Sequence, residues 1–266
     1  MKAFVEIRDL DFSYAPGEKL FESFSFKLSK GENWVILGPS GSGKSTLLLL
    51  MAGLRKPDKG IVKINSIELK RPRPETGLVL QDYGLLPWEN LRQNIRLGFR
   101  LRGFYGPDGK HSPKGSSANK AEQDKRVDQW THCLGMSDLL DRFPHQVSGG
   151  QRRRAALLRT LVMNPDLVLM DEPFGSLDFF MRNDLYALIL KLHKQNAFTS
   201  VIVTHHIEEA LILGRNILVL KQAVNREAVV FENPHYGQID FYKVPGSEFK
   251  MCLEKQLKTR GKDEGV

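Results

Sequence analysis

Gly38-Pro39-Ser40-Gly41-Ser42-Gly43-Lys44-Ser45 follows the apolar run Trp34-Val35-Ile36-Leu37 and leads into Thr46-Leu47-Leu48-Leu49-Leu50-Met51. The octapeptide thus sits between a predicted buried strand and a predicted helix. In that context the spacing G-x-x-x-x-G-K-[ST] is a phosphate cradle; in a loop alone it would be a flexible turn. Glycines let successive backbone N–H groups converge on phosphate oxygens, and the helix that starts there adds its partial positive end. Lys44 is placed to reach the β- and γ-phosphates and the Ser45 hydroxyl to ligate Mg²⁺, with Thr46 counted among the nucleotide-binding residues. The expected ligands are ATP and Mg²⁺.

Outward from this loop, Leu167-Val168-Leu169-Met170 and Val201-Ile202-Val203 are unbroken apolar runs, as is the pair Val79-Leu80. They read as strands buried on both faces of a largely parallel α/β sheet. Toward the N-terminus the pattern alternates, with Phe24, Phe26 and Leu28 against Ser23, Ser25 and Lys27, which predicts an antiparallel layer. Strand signals lapse between Gln81 and Gln146, where Val127, Trp130 and Leu134 fall at helical spacing, so a helical insert is expected over about residues 85–148. Gly103 to Lys120, rich in Gly, Pro, Ser, Asn and Lys, is expected to be a mobile loop within it. Lys221 to Asn225 resembles a turn between two strands, Asn216 to Leu220 and Ala228 to Phe231. The organisation expected is a nucleotide-binding domain over 1–222 and a short extension over 223–266 whose end, Lys255 to Val266, frays.

The run ending at Met170 delivers Asp171-Glu172 to the carboxyl edge of the sheet, where open α/β sheets bind their ligands. Taken alone, such a pair is more often a solvated turn or helix start. Beside a phosphate loop it suggests divided labour, with Asp171 holding Mg²⁺ and Glu172 as general base for the attacking water.

Val147-Ser148-Gly149-Gly150-Gln151, upstream of Asp171-Glu172, resembles the signature motif of ABC-type ATPases, usually written L-S-G-G-Q. Gln81 matches that family's Q-loop, Ser176-Leu177-Asp178 its D-loop, and His205 its switch histidine, while Tyr14 stands where an aromatic stacks on adenine. The motifs run in the family's order from Tyr14 to His205. The resemblance implies a P-loop ABC-type ATPase core with an N-terminal antiparallel β layer and a helical insert. It also implies two ATP molecules sandwiched in a head-to-tail dimer, by homodimer or close paralogue. Ser148, Gly149, Gly150 and Gln151 would touch the γ-phosphate held by the other subunit. Gln81 would sense Mg²⁺ and water, His205 contact the γ-phosphate, and Asp178 join the two sites. Three positions depart from the pattern: Val147 replaces leucine, Arg153 stands where glutamine is frequent, and His206 where aspartate is usual. The last two are expected to alter surface electrostatics only, and Arg152-Arg153-Arg154 to form a solvated helix face with one or two salt bridges. Tyr14 as a plain edge-strand aromatic and Gln81 as a plain polar strand end are the alternatives. A metal reading of His205-His206 lacks a partner at ligand spacing.

Composition narrows the class within that family. Among 266 residues there are 39 Lys+Arg, 31 Asp+Glu and 2 Cys, a net charge of +8. Cys133 and Cys252 fit no metal or redox spacing, which argues for a reducing compartment. Apolar runs fall short of the roughly 18 to 20 residues a membrane span requires, and Glu6, Arg8 and Asp9 interrupt any signal-peptide core. Gln81-Asp82-Tyr83-Gly84-Leu85-Leu86-Pro87-Trp88, with Asn94-Ile95, resembles the Q-loop region of bacterial importer ATPases of the nitrate, sulfonate and taurine group. That implies an ATP hydrolase peripheral to the cytoplasmic side of the membrane. It would dock on permease subunits, serve a solute-binding protein indirectly, and not bind nucleic acid. Pro87-Trp88 either helps line the permease groove or packs the helical insert. A soluble ABC ATPase acting on nucleic acid is the alternative the basic charge would suit, and a phosphate loop in a kinase is a third reading that the signature motif opposes.

Overall fold

The computed structural model describes residues 3–15, 17–104, 120–175, 177, 179–196, 198–221, 228–238 and 248–258. Among these residues ten strands form two sheets. β1 (Val5–Ser13), β2 (Lys19–Leu28), β4 (Lys59–Ile64) and β5 (Ile67–Glu68) form an antiparallel sheet in the order β2-β1-β4-β5. Phe24, Phe26 and Leu28 of β2 are buried and Ser23, Ser25 and Lys27 exposed, as the alternation predicts. Asn65 and Ser66, with φ of 50° and 66°, make the two-residue turn between β4 and β5, whose positive φ values match the twist of a hairpin.

The second sheet holds β3 (Asn33–Leu37), β6 (Thr76–Val79), β7 (Leu167–Asp171), β8 (Thr199–Thr204), β9 (Asn216–Leu220) and β10 (Ala228–Glu232), in the order β10-β9-β3-β8-β7-β6. All its pairings are parallel except that of β10 with β9. The apolar runs are unbroken because each face has its own core. Val35, Leu37, Val168, Met170 and Ile202 point into one cluster, while Trp34, Ile36, Leu167, Leu169, Val201 and Val203 point into the other. The second cluster joins this sheet to the antiparallel layer through α1 (Lys44–Met51), which buries Leu47, Leu48, Leu50 and Met51 between them.

The helical insert contains α2 (Leu91–Ile95), α3 (Leu97–Phe104) and α4 (Lys120–Cys133), and it ends at α5 (Gly149–Leu161). Val127 and Leu134 are buried against α5, and Trp130 is partly so. The expected mobile loop falls mostly outside the described residues; Gly103 and Phe104 close α3, and Lys120 opens α4. α6 (Phe179–Asn196) and α7 (Ile207–Leu213) complete that side of the sheet, and α8 (Glu248–Lys258) lies beside β9 and α7.

The boundary expected at 222 falls between β9 and β10, two strands of one sheet, so β10 continues the core sheet. Asn233 is buried and donates from Nδ2 to the carbonyls of Leu211 and Gly214, both at 2.7 Å, which satisfies the end of α7. Leu253 of α8 is fully buried. Of the stretch expected to fray from Lys255, residues Lys255 to Lys258 are the last turn of α8, and the rest lies outside the described residues.

Where β4 meets β1, Gly60 has φ 79°, and a Cβ there would lie 2.3 Å from the carbonyl oxygen of Asp9 and 2.4 Å from that of Arg8. Both obstacles are backbone, so neither can rotate away. Gly60→Ala is expected to destabilise the chain by more than about 1 kcal/mol, read as a lower midpoint in urea unfolding with unchanged slope. An unshifted midpoint would show that the β1–β4 crossing can open at no cost.

Candidate functional site

Parallel registry sets the site. Leu37 of β3 pairs with Thr204 of β8, and Asp171 of β7 pairs with Val203. Val79 of β6 lies opposite Met170, so Gln81 leaves the sheet at the same edge. The phosphate loop, Asp171-Glu172, Gln81 and His205 therefore all emerge along one carboxyl edge, the ligand edge of such sheets.

Within the loop, Gly41 and Gly43 have φ of 80° and 94°, and Gly43 is the residue from which α1 starts. A Cβ on Gly38 would sit 2.6 Å from the Leu220 carbonyl oxygen and 2.6 Å from Ser42 Oγ, so the loop closes onto β9 only with glycine there. Lys44 is buried and donates from Nζ to the Pro39 carbonyl at 2.8 Å. Burial lowers its pKa, while the carboxylates of Glu172 and Asp171 act in the opposite sense. Ser45 Oγ donates to Asp171 Oδ1 at 3.0 Å. Burial raises the Asp171 pKa, and the Ser45 bond opposes that.

A hydroxyl and a carboxylate converging in this way are the oxygen ligands a hard cation takes. Among the described residues there is no cluster of three or more His, Cys, Asp and Glu side chains that could hold a metal ion unaided. Ser45 and Asp171 would therefore fit a Mg²⁺ ion only if nucleotide phosphates supplied its other ligands.

Glu172 leaves β7 with φ 42°, a left-handed conformation uncommon outside glycine, and its N–H donates to the Val203 carbonyl at 3.0 Å. Its Oε1 stands 2.9 Å from His205 Nδ1. The left-handed backbone at Glu172 thus aims its carboxylate at His205. The His205 ring lies 4.0 Å from that of His206, which opens α7 and whose pKa is lowered by burial and then by His205 and Arg182. His206 is accordingly part of this cluster, not of the outer surface as expected.

Beside the loop a cavity of about 180 Å³ is lined by Tyr14, Leu20, Gly41, Gly43, Lys44, Ser45 and Thr46. The Tyr14 ring is 57% exposed, its hydroxyl hydrogen-bonded to Thr46 Oγ1 at 2.7 Å and Arg55 lying over it at 5.5 Å. An open aromatic face next to a phosphate loop is suited to stack a base.

The signature residues stand apart from this edge. Ser148 is the N-cap of α5; its Oγ accepts from the Gln151 N–H at 3.2 Å, and its own N–H donates to Gln151 Oε1 at 2.9 Å. Gly149 and Gly150 form the first turn behind that cap. Among the described residues no hydrogen bond ties this capping box to the phosphate loop, so within one chain the site is divided into two halves. Asp178 and Ser176 lie outside the described residues.

The expected solvated face of Arg152, Arg153 and Arg154 is not what forms. Consecutive helical residues diverge by about 100°, and here one of the three points inward. Arg153 is 2% exposed and donates from Nη1 to the Gly175 carbonyl at 3.0 Å. Arg152 donates to the Val147 carbonyl at 2.9 Å, and Arg154 pairs with Asp184 at 3.8 Å.

Trp88 is 72% exposed, which removes the alternative that it packs the helical insert. Its loop is held from beneath by Asn94, quoted above only as part of a pattern. Asn94 is fully buried, accepts from Leu86 N–H at 2.8 Å, and donates to the carbonyls of Leu86, Glu89 and Asn90 at 3.1, 2.9 and 3.0 Å. An Asn inside a helix-forming stretch is the only sequence signal of this role.

With this geometry in place, similarity to known proteins is informative. The ABC transporter family profile matches residues 21–175. The taurine import ATP-binding protein TauB of Pseudomonas aeruginosa is 40% identical over 76% of this chain and 71% of its own length. The bicarbonate transport ATP-binding protein CmpC of Synechocystis sp. is 35% identical over 83% of this chain and 32% of its own length. Among solved structures, the dimeric ATP-binding cassette MJ0796 bound to ADP and Pi superposes with a TM-score of 0.70 at 28% identity, covering 84% of this chain and 98% of that one. Fold and site define a nucleotide-binding subunit of the phosphate-loop type. The chain belongs to the ABC transporter family and is an ATP hydrolase coupled to transport.

Asn94→Ala removes an acceptor and a donor from partly buried backbone groups of Leu86, Glu89 and Asn90. It should destabilise the chain by about 1–3 kcal/mol and speed hydrogen exchange at the Leu86 amide. Wild-type protection of that amide would refute the scaffolding role.

Proposed function

We propose that this chain is the ATP-binding subunit of an importer for a small solute of the kind carried by taurine-, sulfonate-, nitrate- or bicarbonate-transporting relatives. It works as one half of a head-to-tail dimer against separate permease subunits at the cytoplasmic face of the membrane, with a solute-binding protein upstream. The observation that carries this reading is the split site. Phosphate loop, Asp171, Glu172 and His205 meet at one sheet edge, whereas among the described residues no hydrogen bond ties the capped end of α5 at Ser148 to that edge. A helix N-terminus with free N–H groups is an anion site, and a second copy would supply the anion.

In each half, backbone N–H groups of Gly41 to Lys44 cradle the phosphates of ATP, and Lys44 exchanges its Pro39 carbonyl for the stronger charge-assisted bond to phosphate oxygens. Tyr14 offers its ring to adenine. Ser45 and Asp171 would hold a Mg²⁺ ion, with Gln81 just beyond the end of β6 as a further ligand; when bound, the ion would supply charge neutralisation for the phosphates. Glu172 accepts the proton of the attacking water, giving ADP and inorganic phosphate, while His205 fixes the Glu172 carboxylate and faces the γ-phosphate. Ser148, Gly149, Gly150 and Gln151 of the opposite subunit complete the anion site, with Asp178 linking the two. ATP closes the dimer and hydrolysis opens it. Pro87-Trp88, exposed on a loop fastened by Asn94, anchors a permease segment. The absence of any helix long and apolar enough to cross a membrane among the described residues suits a subunit whose channel is on other chains.

Two measurements test the reading. Full-length protein should sediment with membranes only when a multi-span permease is co-expressed; tight, salt-sensitive DNA or RNA binding without a membrane partner would overturn the assignment. Glu172→Gln should keep ATP binding, lose about 10²-fold or more in turnover and accumulate as a closed dimer in sizing experiments. Normal turnover would take the general-base role away from Glu172.

A further inference from the structure

Arg153 stands at a position where related signature helices often carry glutamine, and its surroundings give it more to do than a surface polar residue. Its guanidinium lies 4.8 Å from the ring centre of Tyr83 while Nη1 donates to the Gly175 carbonyl at 3.0 Å. Among the described residues Nε is buried with no hydrogen-bond acceptor, and burial lowers the pKa of the group while Tyr83 and then Glu209 act in the opposite sense. A buried cation compensated this thinly is a weak source of stability, because desolvation weighs against its charge. What this placement does provide is a constraint on three segments at once.

Those segments are the working parts of the site. Gly175 closes the turn that begins at Glu172, its N–H donating to the Glu172 carbonyl at 3.3 Å. Tyr83 closes the turn containing Gln81, its N–H donating to the Leu80 carbonyl at 3.1 Å. Glu172 and Tyr83 both hold positive φ, 42° and 67°, so each turn depends on external fixing. Arg153 supplies it from the first turns of α5, the helix whose N-cap is Ser148. Farther along the same helix, Arg159 donates from Nη2 to the Tyr83 carbonyl at 2.9 Å. A glutamine side chain is shorter and uncharged; it can meet a carbonyl, but it offers no cation to the Tyr83 ring.

We propose that Arg153 is a positioning residue for hydrolysis, clamping the Glu172 turn and the Gln81 turn to the signature helix so that contact made at Ser148 displaces all three together. This rests on the roles given above to Glu172, Gln81 and Ser148.

Arg153→Met keeps apolar volume and removes the clamp; Arg153→Lys keeps a cation without the planar fork. In the full chain, turnover per nucleotide-binding site is expected to fall about tenfold in Arg153→Met, with KM and the Kd for ATP within about twofold of wild type. Arg153→Lys should recover part of the loss. A general packing defect would instead lower the number of binding sites and the melting temperature, leaving turnover per site intact. Wild-type turnover per site in folded Arg153→Met would overturn the proposal, as would a rise in KM at unchanged kcat. If Arg153→Met does not fold, Tyr83→Leu poses the same question from the partner side: a fall in kcat at constant KM supports the clamp, and wild-type turnover overturns it. Wild-type turnover by Glu172→Gln would sink the general-base reading itself, a result separate from any Arg153 outcome.

Discussion

Leu37, Asp171 and Thr204 end three adjacent strands, and parallel pairing with Leu37 opposite Thr204 and Asp171 opposite Val203 brings those ends to one line. Everything chemical in this chain hangs from that alignment. A shift of one residue in any strand would exchange its two faces, and each face is already committed to a different hydrophobic cluster. The cores therefore hold the register, and the register places Ser45 against Asp171 and Glu172 against His205. Packing and catalysis are joined through a geometric constraint rather than through a shared residue.

The electrostatics of that edge are unbalanced in a way that suits a polyanion with its cation. Lys44 is buried against a carbonyl, and Asp171 is partly buried against a hydroxyl, so desolvation weighs against the charge on each. Each partner is neutral and weaker than the phosphate or metal that would replace it. Charge-assisted contacts waiting for their counterparts are a preorganised site of the kind phosphoryl transfer needs.

The helical insert adds a second level of control. α5 begins at the capping box of Ser148 and Gln151, and its arginines then reach the turns on either side of the sheet edge. In the proposed head-to-tail dimer, a helix with its N-cap at one end and arginine contacts to both turns along its length would convert the arrival of a partner's phosphate into a movement of Glu172 and Gln81. Such coupling follows a physically continuous set of contacts.

Much was legible in residue order because the signals are local. The phosphate loop needs glycines at fixed intervals before a helix, the unbroken runs at Trp34 and Leu167 need burial on both faces, and the pair Asp171-Glu172 follows its strand directly. What residue order could not show was long-range. Arg153 reads as one of three charges on a solvated helix until the fold places Gly175 and Tyr83 around it; Asn94 looks like a weak helix former until Leu86, Glu89 and Asn90 present their backbone groups to it. The strands on either side of Lys221 to Asn225 were legible, but the burial of Leu253 is not evident until α8 packs beside β9 and α7. The sequence by itself determined the type of site and the layers that carry it, since those depend on spacing along the chain. Tertiary structure alone decided which side chains are buried without a local reason, because burial of a polar group is set by neighbours from distant segments supplying its hydrogen bonds.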